Sequence, residues 1–226
     1  MCGRYSLEFD EGFYTRFKLS NKLSFTTNYN VAPGQTLPVV ISHSPNTMEF
    51  MKWGLIPFWE EKKDKPKGLI NIRQDTIATK GWAHKYIQFQ RCLVPVSGFY
   101  EWKRDNLGKH PYYFYLKDNT YYSFAGVYSE TKNPVSGEVV KSYSIITTEA
   151  NDVMRPIHDR LPVILKQKDE DEWLNHDMVE VEQINEFLRP YNEKDMDKFP
   201  VSEAVNSIVY NEKPLKSNII QQDSFL

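Results

Sequence analysis

Cysteine is nearly absent from this 226-residue chain: two occur, Cys2 and Cys92. A pair so far apart in sequence suggests neither a disulfide framework nor a zinc site, and the expected compartment is a reducing cytoplasm. Long apolar runs are lacking too. None approaches the roughly 20 residues of a membrane-spanning helix, and the polar start, residues 3–11, has no signal-peptide core. A soluble protein with no membrane partner is therefore expected. An excess of one charge is also missing. The net charge of −2 argues against coating nucleic acid by bulk electrostatics, although a local basic groove is compatible with it. Internal repeats and low-complexity segments are absent as well.

Aromatic residues are plentiful. They make up 14% of the chain within a hydrophobic fraction of 40%, a composition that favours strands. The length fits one large domain, expected over residues 1–212, with a polar, patternless and mobile tail at 213–226. Phe9, Phe13 and Phe17 recur every four residues and predict one face of a short helix. Residues 36–43 and 47–53 read as a hairpin around Ser44-Pro45-Asn46, and 60–68 as a charged loop. An extended segment at 69–73 leads into a helix. Further strands are expected at 92–102, 111–117, 121–128, 139–148 and 161–165. A turn is expected at Asp118-Asn119-Thr120 and a short helix at 149–155. One more helix closes at Trp173-Leu174. Another begins at Asp177, where Glu180 completes a capping-box-like pair, and stops at Pro190. Many strands with few helices indicate an α+β domain.

The chain starts Met1-Cys2-Gly3-Arg4-Tyr5. Loss of Met1 would leave the Cys2 thiol two carbons from a free amine, a 1,2-aminothiol. Reference pKa values of about 7.7 to 8.0 for the amine and about 8.5 for the thiol make both nucleophiles accessible near neutrality. An aldehyde meeting this pair forms a Schiff base that the sulfur closes into a thiazolidine. Taken alone, a cysteine at position two can equally be incidental.

Several segments have unusual composition: Asn28-Tyr29-Asn30-Val31-Ala32-Pro33-Gly34-Gln35, Trp53-Gly54-Leu55-Ile56-Pro57-Phe58-Trp59, Asn71-Ile72-Arg73, Arg91-Cys92-Leu93-Val94-Pro95, Gly98-Phe99-Tyr100-Glu101-Trp102, and Ile157-His158-Asp159-Arg160-Leu161-Pro162. With the N-terminal segment they resemble, in order, the SRAP family of SOS-response-associated proteins that act on abasic sites in DNA. The resemblance runs to about Asn206, through Pro200-Val201-Ser202. It implies a curved, barrel-like, mainly antiparallel β core with flanking short helices. It also implies binding of single-stranded DNA containing abasic sites, covalent capture of the ring-opened aldehyde by Cys2, and no metal or cofactor. On the DNA such a protein would be nucleoid-associated.

Within that resemblance, each site residue has a chemical rationale. Opening the closed sugar to its aldehyde moves a proton, a task for Glu101, which would be desolvated if it faces a cleft. His158, in a turn before a strand, can transfer a proton at cellular pH and assist ring opening or steady a Schiff base and a phosphate. Asn71 carries an amide that donates and accepts at once, suited to holding the amine or the thiazolidine. Arg73 is a candidate phosphate clamp, with an ion pair to Asp75 as its structural alternative; Arg4 and Arg160 are weaker phosphate candidates. Among Trp53, Trp59 and Trp102, Trp59 is the best placed to stack on a base, and at least one of the three is expected to be core. Cys92 is expected to be a buried small hydrophobe. Asp75 stands where the family commonly has glutamate.

Three readings compete. The first is covalent capping of abasic sites, with β-elimination lyase chemistry as a side outcome. The second is a cysteine peptidase or N-terminal nucleophile hydrolase whose cleavage is limited to self-removal of Met1, with Glu101 or His158 as base. The third is a non-covalent single-strand-binding or protein-binding module indifferent to lesions.

Overall fold

In the computed structural model, which describes residues 2–42, 45–63, 65–106, 108–118 and 120–214, the apolar and aromatic runs form strands that sort into two sheets. In chain order these are β1 (Tyr5–Leu7), β2 (Asn28–Val31), β3 (Thr36–Ser42), β4 (Asn46–Trp53), β5 (Asn71–Arg73), β6 (Arg91–Val96), β7 (Gly98–Asp105), β8 (Gly108–Leu116), β9 (Tyr122–Lys132), β10 (Val139–Glu149), β11 (Arg160–Pro162), β12 (Ile164–Leu165) and β13 (Met196–Pro200). Five short helices accompany them: α1 (Gly12–Arg16), α2 (Gln74–Thr79), α3 (Gly81–Phe89), α4 (Glu170–Trp173) and α5 (Val181–Asn185). The fold is α+β, with a barrel at its centre.

Five strands close that barrel. β10 pairs with β4, β4 with β3, β3 with β6, β6 with β9, and β9 returns to β10. Only the β10–β4 join of the ring is parallel, and closure leaves the ring without an open edge to aggregate. β10 runs on beyond its pairing with β4, so its far half is served by other strands. Ile145, Ile146 and Thr147 lie beside Asn71, Ile72 and Arg73 of β5, and Thr147 to Glu149 pair with β11. Tyr5 packs its ring against Trp53 and Phe124, and its hydroxyl lies 2.7 Å from that of Tyr143. Each such buried aromatic contributes roughly 1.5–3 kcal/mol through area removed from water.

The second sheet is open, with order β13-β8-β7-β1-β2. β6 and β7 are consecutive in sequence yet belong to different sheets, so the single strand expected over 92–102 is two. Ser97 is the handover: its N–H donates to the Ser6 carbonyl at 2.8 Å, and its hydroxyl accepts from the Glu8 N–H at 2.9 Å. Gly98 then passes directly over Tyr113, where a Cβ would lie 2.1 Å from the phenol oxygen. Sequence periodicity carries no trace of such a crossing.

Other expectations shift for local reasons. Only Gly12–Arg16 is helical near the N-terminus; Phe13 and Phe17 are buried, while Phe9 packs on Phe25 from outside the helix. Residues 152–157 form successive turns rather than a helix. The expected capping pair does not form, because Asn175 Oδ1 accepts from the Asp177 N–H in a turn and α5 starts at Val181. The hairpin is present as β3 and β4, but part of its turn, His43 and Ser44, lies outside the described residues. So do Asn119 of the expected turn and most of the expected tail.

Arg91 is buried at the head of β6. Its guanidinium donates to the carbonyls of Ile87 and Gln88 at the end of α3 and to those of Trp173 and Asn175 after α4. Positive charge at a helix C-terminus is favourable. Burial still lowers its pKa to about 10.

Candidate functional site

Cys2 precedes β1, the strand held between β2 and β7. The backbone just beyond it is fixed as well, since the Arg4 carbonyl accepts from the Tyr100 N–H at 2.9 Å. Asn71 reaches across from the other sheet, where β5 is zipped to β10, and its Nδ2 donates to the Cys2 carbonyl at 2.8 Å. Cys2 therefore sits at the seam between the two sheets. The other end of that amide, Oδ1, is buried with no hydrogen-bond partner among the described residues.

The Cys2 thiol is 1% exposed and faces the Arg4 carbonyl at 3.8 Å. Burial pushes its pKa well above the usual thiol range, and the negative charge of Glu101 adds to the shift. Glu101 is therefore an electrostatic neighbour of the sulfur. It lies on β7 opposite Tyr112 and is itself buried.

Glu101 and His158 line one cleft of about 330 Å³, together with Trp102, Arg104, Lys109 and Asn206. His158 follows the turns before β11. Its Nδ1 lies 3.0 Å from the backbone nitrogen of Arg160. Asp159 Oδ1, 2.9 Å from the same Nδ1, becomes an ion-pair partner when the ring is doubly protonated. Asn206 Oδ1 accepts from Trp102 Nε1 at 2.8 Å and fixes that indole at the cleft wall.

The arginines are less available than the sequence suggested. Arg73 is engaged by Asp75, with Nε 2.9 Å from one carboxylate oxygen and Nη2 on the other. The alternative ion pair is thus the one formed, and it holds the Asp75 carboxyl below its usual range. Arg160 Nη2 donates to the Thr147 carbonyl at 2.6 Å; burial and the nearby Arg73 charge both lower its pKa. Arg4 is a tether: its Nη1 donates to Asn30 Oδ1 at 2.7 Å and to the Val205 carbonyl at 3.1 Å.

Of the three tryptophans weighed, Trp53 is core, Trp102 is half-buried and Trp59 is 44% exposed. Trp59 stands edge-on to Phe58 and Trp82, with ring centroids 5.0 and 4.9 Å away. Cys92 is buried in the barrel wall, as a small hydrophobe would be. The seam thus brings together Cys2, Asn71 and Glu101, and the adjoining cleft joins Glu101 to His158. Sequence reasoning missed Asn30, Arg104, Lys109 and Asn206. A signal existed for two of them in the basic spacing of Lys103, Arg104 and Lys109 around a turn. Among the described residues there is no group of three His, Cys, Asp or Glu able to hold a metal, and no helix long and apolar enough to cross a membrane.

The chain has relatives among known proteins. The family model described as SOS response associated peptidase (SRAP) matches residues 1–208. The abasic site processing protein YoqW of Bacillus subtilis (strain 168) is 37% identical over 214 residues, covering 92% of this chain and 95% of that protein. The abasic site processing protein HMCES of Xenopus tropicalis is 31% identical over 217 residues, covering 81% of this chain and 63% of that one. Among solved structures, a protein from Bacteroides thetaiotaomicron superposes with a TM-score of 0.82 at 28% identity, over 94% of this chain and all of that one. With a seam built on Cys2, Asn71 and Glu101 and a match that spans nearly its whole length, the chain belongs to the SRAP family.

Proposed function

We propose that this protein processes abasic sites in single-stranded DNA by joining its N-terminal cysteine to the lesion. Once Met1 is removed, the Cys2 amine attacks the aldehyde carbon of the ring-opened sugar and water leaves to give an imine. The Cys2 sulfur then adds to the imine carbon while its proton passes to nitrogen, closing a thiazolidine with no oxidant or reductant consumed. Glu101 serves as the acid and base that opens the sugar and relays the thiol proton, a role worth about 10²- to 10⁴-fold in rate. His158 lies in the same cleft and contributes a second titratable group.

The observation that carries this reading is the meeting of Asn71 with Cys2. The amide donates to the Cys2 carbonyl and keeps an unmet buried acceptor, which suits an amine arriving at the same seam. The names of the relatives, abasic site processing proteins, agree with it. The competing peptidase reading gains no comparable observation beyond a titratable Glu101 beside the sulfur.

Intact-mass measurement after incubation with a single-stranded oligonucleotide carrying one abasic site tests the proposal. Wild type is expected to gain the mass of the oligonucleotide less one water. Cys2→Ala is expected to lose that thiazolidine product, and prior borohydride reduction of the lesion to prevent coupling. Undiminished coupling in Cys2→Ala, or with the reduced site, would end the reading.

A further inference from the structure

The hairpin of β7 and β8 projects beyond the cleft, and its register sets Arg104 directly opposite Lys109. Both are exposed cations lining the same cleft as Glu101 and His158. Like charges directly opposite on paired strands repel, with Cβ atoms about 4.5–5.5 Å apart. A hairpin selected for stability alone would place a carboxylate there. The nearest one available, Asp105, pairs instead with His110 at 3.2 Å. No described residue offers Arg104 or Lys109 a side-chain hydrogen bond or an ion pair within 4 Å, so two uncompensated cations converge at the mouth of the cleft. Trp102, locked by Asn206, forms the wall beside them.

We infer that Arg104 and Lys109 form a two-pronged clamp for one phosphodiester of the DNA strand, next to the lesion nucleotide. The inference rests on the proposed abasic-site reading and assigns it a phosphate contact. The clamp compensates for a cost of that reading: Glu101, an acid at the floor of the cleft, would repel a polyanion brought close to it. A cation pair at the rim offsets that repulsion and fixes the strand, leaving the sugar to the groups on the floor. Arg supplies a planar fork for two phosphate oxygens, and Lys a point charge for the same group.

The test uses mature protein and a single-stranded oligonucleotide with a stable tetrahydrofuran abasic analogue that cannot be coupled. Neutralising one single-strand phosphate contact should flatten the plot of log affinity against log salt by about 0.7. The double variant Arg104→Ala, Lys109→Ala is therefore expected to bind about five-fold more weakly at 0.1 M salt, with the difference vanishing toward 1 M. The swap Arg104→Lys, Lys109→Arg is expected to retain most of the affinity. Replacing phosphodiesters one at a time by uncharged methylphosphonates should reveal one linkage at which wild type and double-alanine variant bind alike. Urea unfolding of the double variant should be unshifted or improved, because repulsion is removed.

An unchanged salt slope, a penalty that persists at every methylphosphonate position, or a loss of stability matching the loss of binding would each overturn the clamp. If wild type itself neither binds nor couples, the abasic-site reading falls and takes the clamp with it. If wild type binds and the double variant binds equally well, only the clamp falls.

Discussion

Cys2 and Cys92 occupy two regions that look alike by burial, since both thiols are at most 1% exposed and burial raises both pKa values. What surrounds them differs. Cys92 points across the barrel wall at Gly126, where a Cβ would lie only 2.9 Å from its sulfur, and its carbonyl is taken by Trp173 Nε1 at 3.0 Å. Every neighbour there is packing, and its strand contacts are spent. Around Cys2 the neighbours include an amide with an unmet acceptor, a buried carboxylate and, one cleft away, a histidine. Burial alone silences a thiol; what sets Cys2 apart is the unmet Asn71 acceptor and the buried carboxylate beside it.

The sharpest way to break this comparison is to remove the carboxylate. Glu101→Gln keeps the shape and is expected to slow coupling to abasic DNA by about 10²- to 10⁴-fold, while Cys92→Ala leaves the rate as it is. Single-turnover gel kinetics would read both, and a slow Cys92→Ala would merge the two regions into one functional unit.

A pH titration of stability sharpens the other side. The Cys92 thiol, with Tyr5, Tyr122 and Tyr143, is held above its ordinary value by burial. For such groups the folded state binds the proton more tightly, so their contribution is complete below the unfolded-state pKa and declines as pH rises past it. Urea stability should therefore begin to fall above about pH 8.5 and fall faster above about pH 10. Each group adds about 1.4 kcal/mol per pH unit to the slope. Cys92→Ala should remove about half of the earliest component, the buried Cys2 thiol supplying the rest, and a flat profile from about pH 8.5 to 10 in wild type would refute it.

The smallest effect concerns Arg73. Asp75→Asn frees a guanidinium that is more than half exposed. Exposed pairs are worth at most about 1 kcal/mol, so single-strand affinity at low salt should rise by no more than about five-fold. A fall in affinity would mean that Asp75 aims Arg73 at the strand rather than withholding it.

The barrel was legible where local pattern and burial coincide. The hairpin of β3 and β4 and strands β9 and β10 follow from runs of β-branched and aromatic residues whose ends are marked by turn residues, as does β8 in the open sheet. Cys2 was legible because its chemistry depends on position in the chain and not on folding. The handover at Ser97 was not, because Gly98 is required by Tyr113 in another strand and no local signal reports that contact. The partners of Arg4 were hidden for the same reason. They are Asn30 and a carbonyl at Val205, which only the closed fold brings within reach. Asp75 shows the reverse case, in which a two-residue spacing sufficed to foresee the ion pair.

That tether from Arg4 to Val205 reaches further than packing. Asn30 Nδ2 also donates to the carbonyls of Ser207 and Tyr210, Tyr29 N–H donates to Asn211, and Trp102 leans on Asn206. The segment bearing Cys2 is thus buttressed by residues about two hundred positions further along the chain. Order around Cys2 therefore depends on contacts that a chain shortened to end before Val205 would lack.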